Sequence, residues 1–112
     1  MSFSFQLTKD ADRAICLIYA EYLKRKGSGL PKSRARDFSV PQNREPLYKA
    51  MNQTDFNDTL SELNAAGFLR LYLGHGFLLE DKGILYMENR FPRGLEQLAD
   101  VLSEIKGSIP FL

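Results

Sequence analysis

Few side chains in this sequence could do chemistry, and most of them lack the partner that chemistry needs. Cys16 lies in an apolar helical stretch with no basic neighbour, so a buried structural thiol is expected rather than a nucleophile. His75, the only histidine, stands between two glycines. With no second His and no Cys close by, it reads as a turn residue, open to a pH-dependent contact but not to metal binding. Glu80 and Asp81 are adjacent, so on a strand or helix they diverge and cannot share acid–base work. Gly74-His75-Gly76 leads into a strand pattern and not a helix, which removes a phosphate-cradling loop. No enzyme, cofactor or metal site is expected.

What remains is charge. Lys24, Arg25, Lys26, Lys32, Arg34 and Arg36 fall within thirteen positions. Such a segment can act as a flexible arm that neutralises phosphates. It can equally be a helix end followed by a solvated loop. The net charge of +1 is unevenly spread: residues 1–50 hold ten basic and five acidic residues, residues 51–112 five and nine. That split suggests a basic face and an acidic face.

The elements that must position these groups follow from periodicity. Phe3, Phe5 and Leu7 alternate with polar residues as a short extended arm. Thr8 then caps a helix over Lys9–Lys26, with Ala11, Ala14, Ile15, Ile18, Tyr19 and Tyr22 on one stripe, widened by Leu17 and Leu23. Gly27 is its expected left-handed stop. The stretch GSGLPKSRAR reads as loop, Asp37–Val40 as a short strand ended by Pro41, and Leu47–Met51 as a short helix with Pro46 at its first position.

A third helix is expected from Thr54, with Phe56, Leu60 and Leu63 inward, to Gly67. Phe68–Leu73 and Phe77–Leu79 form a hairpin around Gly74-His75-Gly76. A short helix over Ile84–Phe91 stops before Pro92. The last helix, Arg93–Lys106, carries Leu95, Leu98, Ala99, Leu102 and Ile105 on one side and is followed by the apolar tail Ile109–Leu112. A chain of 112 residues, 44% hydrophobic, can bury one ordinary core. The lone cysteine, the absence of a signal-like N-terminus and the lack of a long apolar run point to a soluble cytoplasmic protein.

The order helix, short strand, short helix, helix, hairpin resembles the winged-helix DNA-binding superfamily of the small bacterial and phage type, over about residues 9–90. Leu63-Asn64-Ala65-Ala66-Gly67-Phe68-Leu69 looks like that family's passage from third helix to first wing strand. Leu79-Glu80-Asp81-Lys82-Gly83 is similar to the Leu-Thr-x-x-Gly that follows the wing, with Glu80 in place of Thr. The resemblance implies an α+β winged helix over residues 1–92, including the N-terminal arm, and an added helix and tail over 93–112 that pack or dimerise.

It further implies regulatory binding of double-stranded DNA. In that reading Asn57, Thr59, Ser61 and Asn64 meet base edges, while Lys32, Arg34, Arg36, Arg70 and Lys82 meet phosphates. Leu95, Leu98, Leu102, Ile105, Ile109 and Phe111 would form a homodimer interface. Against DNA stand Asp55, Asp58 and Glu62 on the same third helix, with no cation among them. The alternative is a protein-interaction module on the same scaffold without DNA affinity, with the acidic third helix facing a basic partner and the apolar C-terminal helix another. A DNA binder should join its basic 24–36 segment to the wing in one continuous basic surface; an adaptor should interrupt it.

Overall fold

The computed structural model describes residues 6–107, with side chains described through Glu104. The architecture is α+β: helices surround α1 (Lys9–Gly27) and a small antiparallel sheet closes one side. The Thr8 hydroxyl accepts the Ala11 N–H at 3.3 Å, Asp10 and Asp12 occupy the first turn, and Lys24, Arg25 and Lys26 the last. These are the groups the helix dipole favours at each end. The left-handed residue past its end is Gly29, at φ 105°, and not Gly27, which stays helical.

Every residue from Ala14 to Ala20 is buried. Seven consecutive buried positions span nearly two turns, so α1 is enclosed on all sides and not merely along one stripe. Each of the other helices touches it. Cys16 is among these residues, and loss of hydration pushes its thiol up to about 12.

The segment expected to be a loop contains a helical turn, α2 (Lys32–Ala35), with Ala35 fully buried. Arg25 fixes it. Its guanidinium donates to the Arg34 carbonyl at 2.7 Å and the Asp37 carbonyl at 3.0 Å, and lies 4.9 Å above the Phe38 ring. A flexible basic arm is therefore replaced by a pinned one. After β1 (Asp37–Phe38), α3 spans Pro41–Ala50, six residues longer at its start than expected. Pro41 takes the first-turn position that needs no N–H, and Pro46 sits inside the helix on its exposed side.

The expected third helix begins earlier and is divided. Asn52 is the cap, its side-chain carboxamide oxygen accepting the Asp55 N–H at 3.0 Å, and α4 runs Gln53–Asp58. Thr59 interrupts the ladder before α5 (Leu60–Ala65): its hydroxyl donates to the Phe56 carbonyl at 2.7 Å, a local bond that competes with the helix.

β2 (Leu69–Leu71) and β3 (Phe77–Leu79) form the hairpin, and β1 pairs with the far side of β3, giving the order β1-β3-β2. Phe38 stands opposite Phe77, and Leu71 opposite Phe77 on the other side. The Phe38 and Phe77 rings stack at 5.0 Å, and Phe56 of α4 packs on Phe77 at 6.1 Å. These contacts seat the helices on the sheet.

α6 (Asp81–Arg90) starts three residues before the expected Ile84 and takes in Gly83. A Cβ on Gly83 would lie 2.8 Å from the Phe68 carbonyl oxygen, so the first turn of α6 rests directly on the backbone entering β2. α7 (Leu95–Gly107) then runs back along α1. Its start is near Leu23, and Val101 and Glu104 share a cleft with Lys9, Asp12 and Arg13. Both Arg90 amino groups bond the Asp12 carboxylate, the second at 3.1 Å, tying the end of α6 to the first turn of α1. Among the described residues no helix is long and apolar enough to cross a membrane.

Candidate functional site

Of the four side chains expected on base edges, two are exposed. Ser61 and Asn64 face outward, whereas Thr59 is only 4% exposed and its hydroxyl is spent on Phe56. Thr59 falls on the inward stripe with Phe56 and Leu63, which is the physical reason it cannot present a hydroxyl to a ligand. Asn57 is half-buried and its carboxamide oxygen accepts the Tyr48 hydroxyl at 3.1 Å.

The earlier helix start brings forward residues that sequence reasoning missed: Asn52, Gln53 and Thr54 are exposed in the first turn of α4. The signal was present as Asn52-x-x-Asp55, a capping pattern two residues before Thr54. Asp55 and Asp58 share this outer surface. Glu62 turns away from it and binds Thr8, accepting the backbone N–H and the hydroxyl, each at 2.8 Å.

The five cations expected on phosphates behave differently from a free basic patch. Lys32 of α2 reaches Asp81 at 3.0 Å, and Arg36 reaches the same carboxylate oxygen at 2.8 Å. Arg36 also donates through Nε to the Leu79 carbonyl at 2.8 Å and lies 3.9 Å from Glu80. Arg70, on β2, pairs with the other Glu80 oxygen at 3.1 Å.

The result is a chain of alternating sign, Lys32–Asp81–Arg36–Glu80–Arg70, running from α2 across the first turn of α6 to β2. The hydrogen bond from Lys32 and the neighbouring Arg36 hold the Asp81 carboxyl below the usual range. Lys82 lies over Gly67. Arg34 is exposed, as are Lys24, Lys26 and Lys49.

Arg44 of α3 was not singled out from the sequence, yet it is the most buried cation among the described residues, at 6% exposure. It donates to the Phe38 carbonyl at 2.9 Å and to the Gly74 carbonyl at the hairpin tip at 3.2 Å. Its Nε has no acceptor. No described carboxylate pairs with it, so the charge is held by backbone dipoles alone. Its three-residue spacing from Leu47 would have placed it on the inner face of α3, had the helix been started at Pro41.

The tip it supports is a tight turn with both Gly74 (φ 71°) and His75 (φ 69°) left-handed, closed by the Tyr72 N–H donating to Gly76 at 2.8 Å. Gly76 must be glycine-sized, because a Cβ there would meet the Ser39 carbonyl oxygen at 2.9 Å.

Of the proposed dimer residues, Leu98 is fully buried in the chain's own core and Leu102 is partly buried against it. Leu95 is at the edge, 36% exposed, and the outward positions of α7 are Glu96, Ala99, Asp100, Ser103 and Glu104. The Ile105 side chain, Ile109 and Phe111 lie outside the described residues, as does most of the N-terminal arm. Comparison of the chain with protein-family models, with curated proteins and with solved structures finds no match in any of the three.

Proposed function

We propose that this chain is a winged-helix module that binds a protein partner. Supporting the scaffold are the order α1, β1, α3, α4–α5, β2, β3 and the sheet order β1-β3-β2, with Gly83 packed under the hairpin. The observation that carries the partner class is the alternating ion chain. Glu80 and Asp81 stand between Lys32 and Arg36 on one side and Arg70 of β2 on the other, so the basic surface a duplex requires is interrupted. On α4, Asp55 and Asp58 add acidic charge at the position that would approach DNA. A basic protein surface complements that face, since opposite potentials steer and orient an encounter.

DNA binding is the second reading, favoured by the exposed Asn52, Gln53 and Thr54 at the start of α4, which are amide and hydroxyl groups suited to base edges. Two measurements separate the readings. Anisotropy of a labelled duplex of about 30 base pairs, at about 50 and 200 mM salt, is expected to show no micromolar binding. A random peptide library panned on the immobilised protein is expected to yield Lys- and Arg-rich sequences that bind Asp55→Asn/Asp58→Asn at least tenfold more weakly. Steeply salt-dependent micromolar duplex binding would replace this reading with the second.

A further inference from the structure

The exposed large hydrophobic residues among those described are five, and three of them gather at one end of the sheet. Leu73 is 99% exposed, Val40 46% and Tyr72 43%. Val40 reaches the hairpin tip through the strand register: Phe38 faces Phe77, and Ser39 then lies against Gly76. Scattered apolar residues on a surface need no explanation, but a cluster does.

This cluster is held rigidly. The left-handed Gly74 and His75, the bond from the Tyr72 N–H to Gly76 and the Arg44 guanidinium on the Gly74 carbonyl together determine where Leu73 points. A non-glycine residue with φ of 69° and a buried cation lacking a carboxylate are both costly features. They converge on one turn whose tip side chain, Leu73, stands almost fully in solvent.

We propose that this end of the sheet is an apolar anchor, with Leu73, Tyr72 and Val40 packing against an apolar and aromatic segment of a protein partner. The inference rests on the protein-binding reading above and names a second part of the same interaction. Composition argues for a protein and against a polyanion or an anionic membrane. Residues 39–42 and 72–76, which make up this end, contain no Asp, Glu, Lys or Arg in a chain that is 26% charged. Surfaces that meet phosphates, whether of nucleic acid or lipid, carry cations at the point of contact. Aromatic and apolar residues without charge are instead typical of the centre of a protein–protein interface. A tip already fixed in position also loses little freedom on binding.

The test uses the full chain and a random dodecapeptide library. Selection on the wild-type protein is expected to enrich a second class of sequences, apolar and aromatic, besides the basic ones. Their affinity should fall roughly tenfold or more in Leu73→Ser, as burial of one leucine implies. It should be unchanged in Asp55→Asn/Asp58→Asn. Arg44→Met, which keeps side-chain volume and removes the donor to Gly74, should weaken the same peptides and leave the basic class alone.

Absence of an apolar class, or apolar peptides that bind Leu73→Ser equally well, would overturn the anchor while leaving the α4 reading intact. An apolar class without a basic one would keep the anchor and remove the α4 reading. A tenfold loss of duplex affinity in Leu73→Ser would place the tip on nucleic acid and overturn the proposal.

Discussion

Arg36 and Arg44 stand at opposite ends of the same sheet, eight residues apart, and the protein treats them in opposite ways. At the root, Arg36 shares Glu80 and Asp81 with Lys32 and Arg70, so every cation has a carboxylate and the chain remains partly hydrated. Behind the tip, Arg44 is buried with carbonyl partners and an unused Nε. Exposed ion pairs contribute little each, whereas a buried charge must be satisfied or it destabilises the fold. The root is therefore tolerant and adjustable, and the tip is held by a single critical side chain.

The sharpest way to break this contrast is Arg44→Ala. It leaves the Phe38 and Gly74 carbonyls without their charged donor and opens a void, so unfolding stability in urea should drop by about 3 kcal/mol. A loss below about 0.5 kcal/mol would mean that Arg44 does not support the tip. Next in size is Gly83→Ala at the root, where the new methyl meets a backbone carbonyl that cannot swing aside; about 2 kcal/mol is expected by the same measurement. If that variant is neutral, the close packing of α6 on β2 is not a constraint.

Smaller effects come from acid. Ser39, hydrogen-bonding the Asp37 carboxyl, and Lys32, hydrogen-bonding that of Asp81, hold both groups below the ordinary carboxylate range in the folded protein. A depressed folded value contributes stability that is fully present above the unfolded value of about 4 and is lost as pH falls through the folded one. The urea midpoint should therefore decline below about pH 4, and Asp81→Asn should make that decline shallower. An unaltered decline would show that the root ion chain adds nothing to folding. Smallest of all is Leu73→Ser: with the side chain in solvent, stability should stay within about 0.5 kcal/mol of wild type. A larger loss would mean that the tip is part of the core.

How far the sequence could be read follows the same division. α1 was legible because its apolar pattern is long, capped by Thr8 and closed by three basic residues. The hairpin was legible from its glycines. The start of α3 was not, because Pro41 and Pro46 both suit a first helical turn and the one nearer the apolar residues drew the boundary. Asn52 and Thr54 are both good caps two residues apart, and choosing the later one hid Gln53 and Thr54 from the exposed face. Thr59 lies inward and not on the exposed face, because a hydroxyl on an apolar stripe can be satisfied by its own helix. No local pattern foretells that Arg36 meets Asp81 forty-five residues away, and with that pairing the expected basic surface is interrupted.

The enclosure of α1 has a kinetic consequence. Cys16 lies where no reagent can reach it, with its thiol pushed up to about 12, and the helix that carries it touches every other helix. For a thiol-specific reagent to react, α1 must come out of its surroundings, and its surroundings are the whole protein. The rate of labelling at this one sulfur is therefore a clock for global opening, present in the native chain without any engineered probe. Variants of the root and of the tip can be ranked by how fast they let it run.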